Sequence, residues 1–224
     1  MNTTFRWHEQ RTTTPDGVYL VLRAAILGGS VPPGGHLREA HIAADLGISR
    51  SPLREALTRL EEEGLVVKVP FRGAFVAEVS AQDVAEIASI RLRVEPYAGE
   101  LSVEVLRGQQ RLLLTQTVED LNRATKENDI PASIDAHLRF HRLFYDFWGH
   151  SILQSLWNGW ESKLRLYLAV DHRSYTNVDD IAHEHEGLVA HVLAGDVEGF
   201  QREVAAHFPS ALRAETTPEA NEDR

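Results

Sequence analysis

Apolar residues in the first 80 positions change their period several times, and each change marks an element. Val18, Leu22, Ala25 and Ile26 recur at helical spacing, and Gly28-Gly29 followed by Pro32-Pro33-Gly34-Gly35 ends that helix in a turn. Ile42, Ala43 and Leu46 form the apolar face of a short second helix over about 38–46, stopped by Gly47. Ser51 reads as an N-cap and Pro52 as a first helical position. They open a third helix with Leu53, Leu57 and Leu60 inward and Gly64 at its end. The β-rich runs Leu65–Val69 and Ala74–Glu78 flank Pro70-Phe71-Arg72-Gly73, which predicts a hairpin. Three helices and a hairpin are the order of a winged helix-turn-helix.

From Ser80 onward the pattern is purely helical, with a capping-box start at Ser80 and Asp83. Six helices are expected over about 81–106, 109–127, 132–148, 151–170, 178–194 and 197–213. Breaks fall at Gly108, Asn128 to Pro131, Gly149, Asp171 to Asn177 and Gly195. Short connections between amphipathic helices imply an antiparallel bundle. The predicted fold is mainly α: an N-terminal winged helix-turn-helix over 10–79, an all-α six-helix antiparallel bundle over 80–213, and a polar tail over 214–224 expected to be disordered.

Composition narrows the chemistry. The chain has 224 residues and no Cys, which excludes disulfides, thiolate metal sites and cysteine nucleophiles. No apolar run approaches the roughly 20 residues needed to span a bilayer, and Met1 to Arg11 has no apolar signal core, so a cytoplasmic location is expected. The net charge of −10 is regional: residues 1–80 carry nine Lys/Arg and nine Asp/Glu, residues 81–224 fourteen and twenty-four. A neutral first part can bind a polyanion where its basic groups share one face.

Those basic groups are well placed. Arg50 lies at the mouth of the third helix and Arg54 one turn in, where a recognition helix presents arginine to guanine in the major groove. The hydroxyls of Ser49 and Ser51 suit phosphates, and Arg38 suits a phosphate or a base edge. Arg72-Gly73 at the hairpin tip is placed to reach the minor groove. For any single arginine the competing reading is a solvated helical face paired with Glu55, Glu61 or Glu62. The whole arrangement favours double-stranded DNA.

The second part carries the histidines. His137 and His141 are four apart and share a helical face, a spacing at which two imidazoles can hold one divalent metal. His185 and His207 face the core if Leu188, Val192, Val204 and Phe208 do. Four converging imidazoles would bind zinc, nickel, copper or a similar ion. A core histidine held by hydrogen bonds is the plainer reading, and spacing alone leaves His183 and His191 as rivals.

Two resemblances rest on longer motifs. Pro33-Gly34 to Leu37-Arg38-Glu39, then Ala43-Ala44-Asp45-Leu46-Gly47-Ile48-Ser49-Arg50-Ser51-Pro52-Leu53-Arg54-Glu55-Ala56-Leu57, then Leu60 to Val66, resemble the DNA-binding domain of GntR-family bacterial transcription regulators over about 18–78. The resemblance implies that Arg38, Arg50 and Arg54 read DNA, that Gly73 sits in the wing, and that a homodimer binds a palindromic operator. Arg91 with Glu95, Phe140-His141-Arg142, Glu184-His185, Ala194-Gly195-Asp196 and His207 resemble the FCD effector domain over about 82–210. That domain implies a metal held by an Asp, a His four residues later and two further His. Here His137 fills the Asp position, ahead of Asp135, and His141, His185 and His207 the others. The all-imidazole set implied shifts preference towards zinc, nickel or copper and away from manganese. His150 stands where the family has Asn, with Ser151 as the replacement cap.

The resemblance further implies a small carboxylate effector, with Arg91 as a two-pronged partner and Arg142 as a lesser one. An Arg91–Glu95 helical ion pair competes equally for Arg91. The expected function is a ligand-responsive transcription regulator, a repressor by default, with no membrane partner. The alternative is a metal-dependent hydrolase or oxygenase with Glu184 or Glu186 as base.

Overall fold

In the computed structural model of the chain, residues 13–171 and 179–207 are described, without the side chains of residues 104, 171, 179, 180 and 207. The elements run α1 (Pro15–Leu27), β1 (His36–Leu37), α2 (Glu39–Leu46), α3 (Arg50–Glu62), β2 (Val66–Val69), β3 (Gly73–Val76), α4 (Ala81–Val105), α5 (Gly108–Lys126), α6 (Ile130–Asp146), α7 (Ser151–Asp171), α8 (Asp179–Ala194) and α9 (Val197–His207). Two compact units meet at Val79 and Ser80, apart from the C-terminal end of α7, which groups with the first. No described helix is long and apolar enough to cross a membrane. The expected tail over 214–224 and the last turns of the sixth bundle helix lie outside the described residues.

The first unit is a winged helix-turn-helix. Val18, Leu22, Ala25 and Ile26 of α1 are buried, as are Leu53, Ala56, Leu57 and Leu60 of α3, and these two helices pack together. Their surface edge is tied by Glu63, which accepts from Arg23 Nε and Tyr19 Oη at 2.8 Å each. The α2–α3 turn starts at Gly47, whose φ of +66° is the left-handed helix end that suits glycine.

One local expectation is extended and another corrected. The hairpin is part of a three-stranded sheet of order β1-β3-β2, because His36 and Leu37 pair antiparallel with Phe75 and Ala74. A two-residue strand has no legible period; the pairing comes from Leu37, which is buried. Helix α3 begins at Arg50 with Ser49 as N-cap, so Ser51 and Pro52 lie inside its first turn. Proline is harmless there because the first four helical N–H groups have no intrahelical acceptor.

The second unit is all-helical. The Ser80–Asp83 capping box opens α4, Asp83 N donating to Ser80 Oγ at 3.0 Å and Ser80 N to Asp83 Oδ2 at 3.2 Å. Lys163 of α7 also holds Asp83, and its hydrogen bond, joined by those from Ser80, lowers the carboxyl pKa to about 2. Helix α4 passes through Pro96, and at Gly99 it packs so closely on the Phe200 ring that a side chain would collide with it. Helix α6 starts at Ile130, two residues early, because the Asp129 side chain accepts from Ala132 N at 3.1 Å and Pro131 fits the first turn. At the start of α7 the expected cap is corrected: His150 Nδ1 accepts from Leu153 N at 3.4 Å, so the imidazole rather than Ser151 does the work of the asparagine. Helix α5 packs on α6 and α8, and α4 on α6 and α9, which brings α4, α6 and α8 around one buried centre.

Candidate metal centre and DNA-reading face

Helices α6 and α8 bring His137, His141 and His185 together, with one ring nitrogen from each within 4.8 Å of the others. All three are buried. The two α6 histidines lie one turn apart, their rings tilted by 37° with centroids at 5.1 Å, and His185 stands edge-on to them at 4.6 and 5.2 Å. Phe140 closes one side, its ring 5.3 Å from His141 and 4.9 Å from His185.

The outer nitrogens are already committed. His185 Nδ1 lies 2.6 Å from the Ile181 carbonyl oxygen, which only accepts, so this nitrogen carries the proton and Nε2 presents a lone pair. His141 Nδ1 lies 3.1 Å from Glu95 Oε2, which assigns the same tautomer. The two Nε2 atoms then face one another across 3.3 Å. Two lone pairs at that distance repel unless a cation, either an added proton or a metal ion, satisfies both. Imidazoles anchored through Nδ1 on a carboxylate and a carbonyl are the arrangement that orients histidine ligands. The donor set fits a divalent transition metal.

Glu95 is the residue that sequence reasoning underrated. It is buried on α4, with Oε1 accepting from Arg91 Nε at 2.6 Å and Tyr145 Oη at 3.4 Å, and Oε2 facing His141. Burial by itself would raise its pKa, but the Arg91 charge and then His141 outweigh that and lower it to about 2. The same carboxylate and burial push the Tyr145 phenol well above its usual value, burial being the larger cause. The i, i+4 spacing to Arg91 was the visible signal; the contact with His141 crosses from α4 to α6.

The other expected ligands fall elsewhere. His183 is exposed and pairs with Glu186 at 3.4 Å, and His191 Nδ1 is held by Asp196 Oδ2 at 2.8 Å. Asp135 pairs with Arg165, which also reaches Glu161 at 3.2 Å. Arg142 is engaged by Asp146 at 3.1 Å and Glu161 at 2.9 Å. Arg91 is buried in the helical ion pair, its guanidinium carbon 6.0 Å from the Trp157 ring centre. His207 closes α9 and its side chain lies outside the described residues. Glu184 and Glu186 are both exposed, so neither is placed as a buried base.

In the first unit Arg38, Ser49, Arg50, Ser51, Arg54, Arg72 and Gly73 are all exposed. Among the described residues Arg38 and Arg50 form no ion pair, whereas Arg54 Nε donates to Glu39 Oε2 at 2.8 Å, not to Glu55, Glu61 or Glu62. Ser49 makes no side-chain cap bond, which leaves its hydroxyl and the first N–H groups of α3 facing outward. Lys68 of β2 bonds Thr58 Oγ1 at 2.9 Å and Glu61 at 2.6 Å, anchoring the wing to α3.

Comparison with known proteins agrees with both units. Residues 14–76 match the family described as bacterial regulatory proteins, gntR family, and residues 86–209 match the FCD domain. The chain is 28% identical to the HTH-type transcriptional regulator YdhC of Bacillus subtilis over 85% of each protein. It is 29% identical to the probable D-xylose utilization operon transcriptional repressor of Paenarthrobacter nicotinovorans over 91% of each. The solved E. coli McbR/YncC has the same fold, with a TM-score of 0.65 at 24% identity over 91% of this chain and 99% of that one.

Proposed function

Because the chain belongs to the GntR family of bacterial regulatory proteins, in the branch that carries an FCD domain, we propose that it is a metal-containing repressor relieved by a small carboxylate. It is a DNA-binding transcription regulator and not an enzyme, as its relatives are. The observation that carries the finer reading is the meeting of His141 Nε2 and His185 Nε2 at 3.3 Å, with both Nδ1 atoms anchored and His137 beside them.

His137, His141 and His185 would hold the ion, with His207 as the fourth ligand. Helix α9, which His207 ends, packs on α4 and α8, the helices that carry Glu95 and His185. Zinc suits such a set best, and nickel or copper fit it also. When bound, the metal supplies a positive centre that a carboxylate oxygen can ligate. Arg91, which shares Glu95 with His141, is the cation positioned to feel such an anion. Arg142, committed to Asp146 and Glu161, would join only after exchanging those partners. The carboxylate acts by shifting the packing of α4, α6 and α8, and a coupling of about 1–3 kcal/mol changes operator affinity 5- to 150-fold.

On DNA, α3 of each protomer of a homodimer enters the major groove of one operator half. Arg50 and Arg54 read base edges, Arg38, Ser49 and Ser51 hold phosphates or a base edge, and Arg72-Gly73 follow the minor groove. The test is metal content after loading with zinc and desalting: one ion per chain in the wild type and none in His141→Ala. Retention of stoichiometric zinc by that variant would sink the histidine site, and a wild type that selects no duplex from a random pool would sink the DNA reading.

A further inference from the structure

Phe71 sits at the tip of the wing in a backbone state that few phenylalanines adopt. Its φ is +62°, and its side chain is 108% exposed, more open than in an extended reference peptide. The local chemistry makes this costly. Arg72 N donates to the Val69 carbonyl at 3.0 Å, closing a four-residue turn with Pro70 second and Phe71 third. That is the pattern of a type II turn, whose third position calls for glycine or asparagine. A phenyl ring there combines a strained backbone with an exposed apolar surface. Nothing within the wing repays either, since the turn itself would be better made by asparagine.

The strand that follows the tip is braced. Phe75 stacks on His36 with centroids 4.5 Å apart and planes at 16°, and the Arg72 guanidinium lies 5.7 Å from the Phe75 ring centre. Lys68 ties the same hairpin to α3. The turn that carries Phe71 is therefore tied through β2 to the reading helix. The tip, Pro70-Phe71-Arg72-Gly73, holds a cation and no acid, so its partner is a polyanion with an apolar interior. Stacked base pairs seen from the minor groove have that chemistry.

We infer that Phe71 is a wedge that enters the minor groove and opens one base step, bending the operator. This rests on the DNA-binding reading above. Apolar side chains inserted from the minor groove unstack a step and kink the duplex, and flexible pyrimidine–purine steps yield most easily. The operator thus carries a TA or CA/TG step beneath each wing, at a fixed spacing from the bases read by α3.

The probe is a duplex recovered by the wild-type protein from a pool with a randomised 24-bp centre. End-to-end energy transfer reports its bend, and 2-aminopurine at the step beneath the wing reports unstacking. Phe71→Asn, which suits the turn, should fold with an unchanged or raised Tm and bind about tenfold more weakly. It should lose the bend and the 2-aminopurine signal, while Phe71→Leu keeps both. An equal bend and equal 2-aminopurine signal in wild type and Phe71→Asn would overturn the wedge while leaving DNA binding intact. So would a change of oligomeric state in Phe71→Asn with the bend preserved, since the ring would then be packing on protein. Failure of the wild type to select any duplex would overturn the underlying DNA reading instead.

Discussion

Glu95 Oε2 stands 3.1 Å from His141 Nδ1, so a carboxylate on one helix sets the tautomer and direction of an imidazole on another. Outer partners of this kind typically contribute 10- to 100-fold to metal affinity. Glu95→Gln keeps the shape but removes the charge that fixes His141. Its zinc affinity, measured by competition with a chromogenic chelator, should fall about 10- to 100-fold. Affinity equal to wild type would show that Glu95 does not orient the ring.

The same carboxylate makes acid stability informative. Its folded pKa of about 2 lies below the usual 4.5, so folding favours the ionised form. The stabilisation is complete above pH 4.5 and is lost as pH falls through 4.5 towards 2. Urea midpoints of metal-free wild type and Glu95→Gln should therefore differ above pH 5 and converge as the pH falls towards 2. A difference that persists unchanged at pH 3 would contradict the buried charge assignment.

On the proposed reading Arg54 would leave Glu39 to meet DNA, a pair whose arginine side chain is 64% exposed. Such surface pairs contribute about 0–1 kcal/mol, so the exchange is cheap. Glu39→Gln should leave Tm within a degree or two of wild type and hold or raise affinity for the selected duplex. Arg54→Ala should weaken binding by about 1–3 kcal/mol and relax base preference at one position. Fluorescence anisotropy on matched and substituted duplexes checks both, and unchanged affinity in Arg54→Ala would remove it from the reading set.

Much of this was legible along the chain because it is local. Leu53, Leu57 and Leu60 share one face of α3 whatever surrounds them, and all three are buried. Gly47, Ser80 with Asp83, and the His137–His141 spacing act within one or two turns, where backbone geometry alone decides who meets whom. What failed was also local in origin: β1 is too short to show a period, and the start of α3 depended on Ser49 extending its backbone.

The choice among histidines had a different source. His183, His185 and His191 lie on one helix at spacings that sequence cannot rank. The packing of α8 against α5 and α9 buries His185, while His183 meets solvent and His191 meets Asp196. Glu95 became the partner of His141, and Arg142 was drawn off by Glu161, for the same reason. The order of amino acids determines helices, caps and the face each side chain occupies, since those follow from repeat geometry. Which faces meet is decided only when helices distant in sequence bury their apolar stripes together, and the cluster of His137, His141 and His185 across α6 and α8 exists only after that burial.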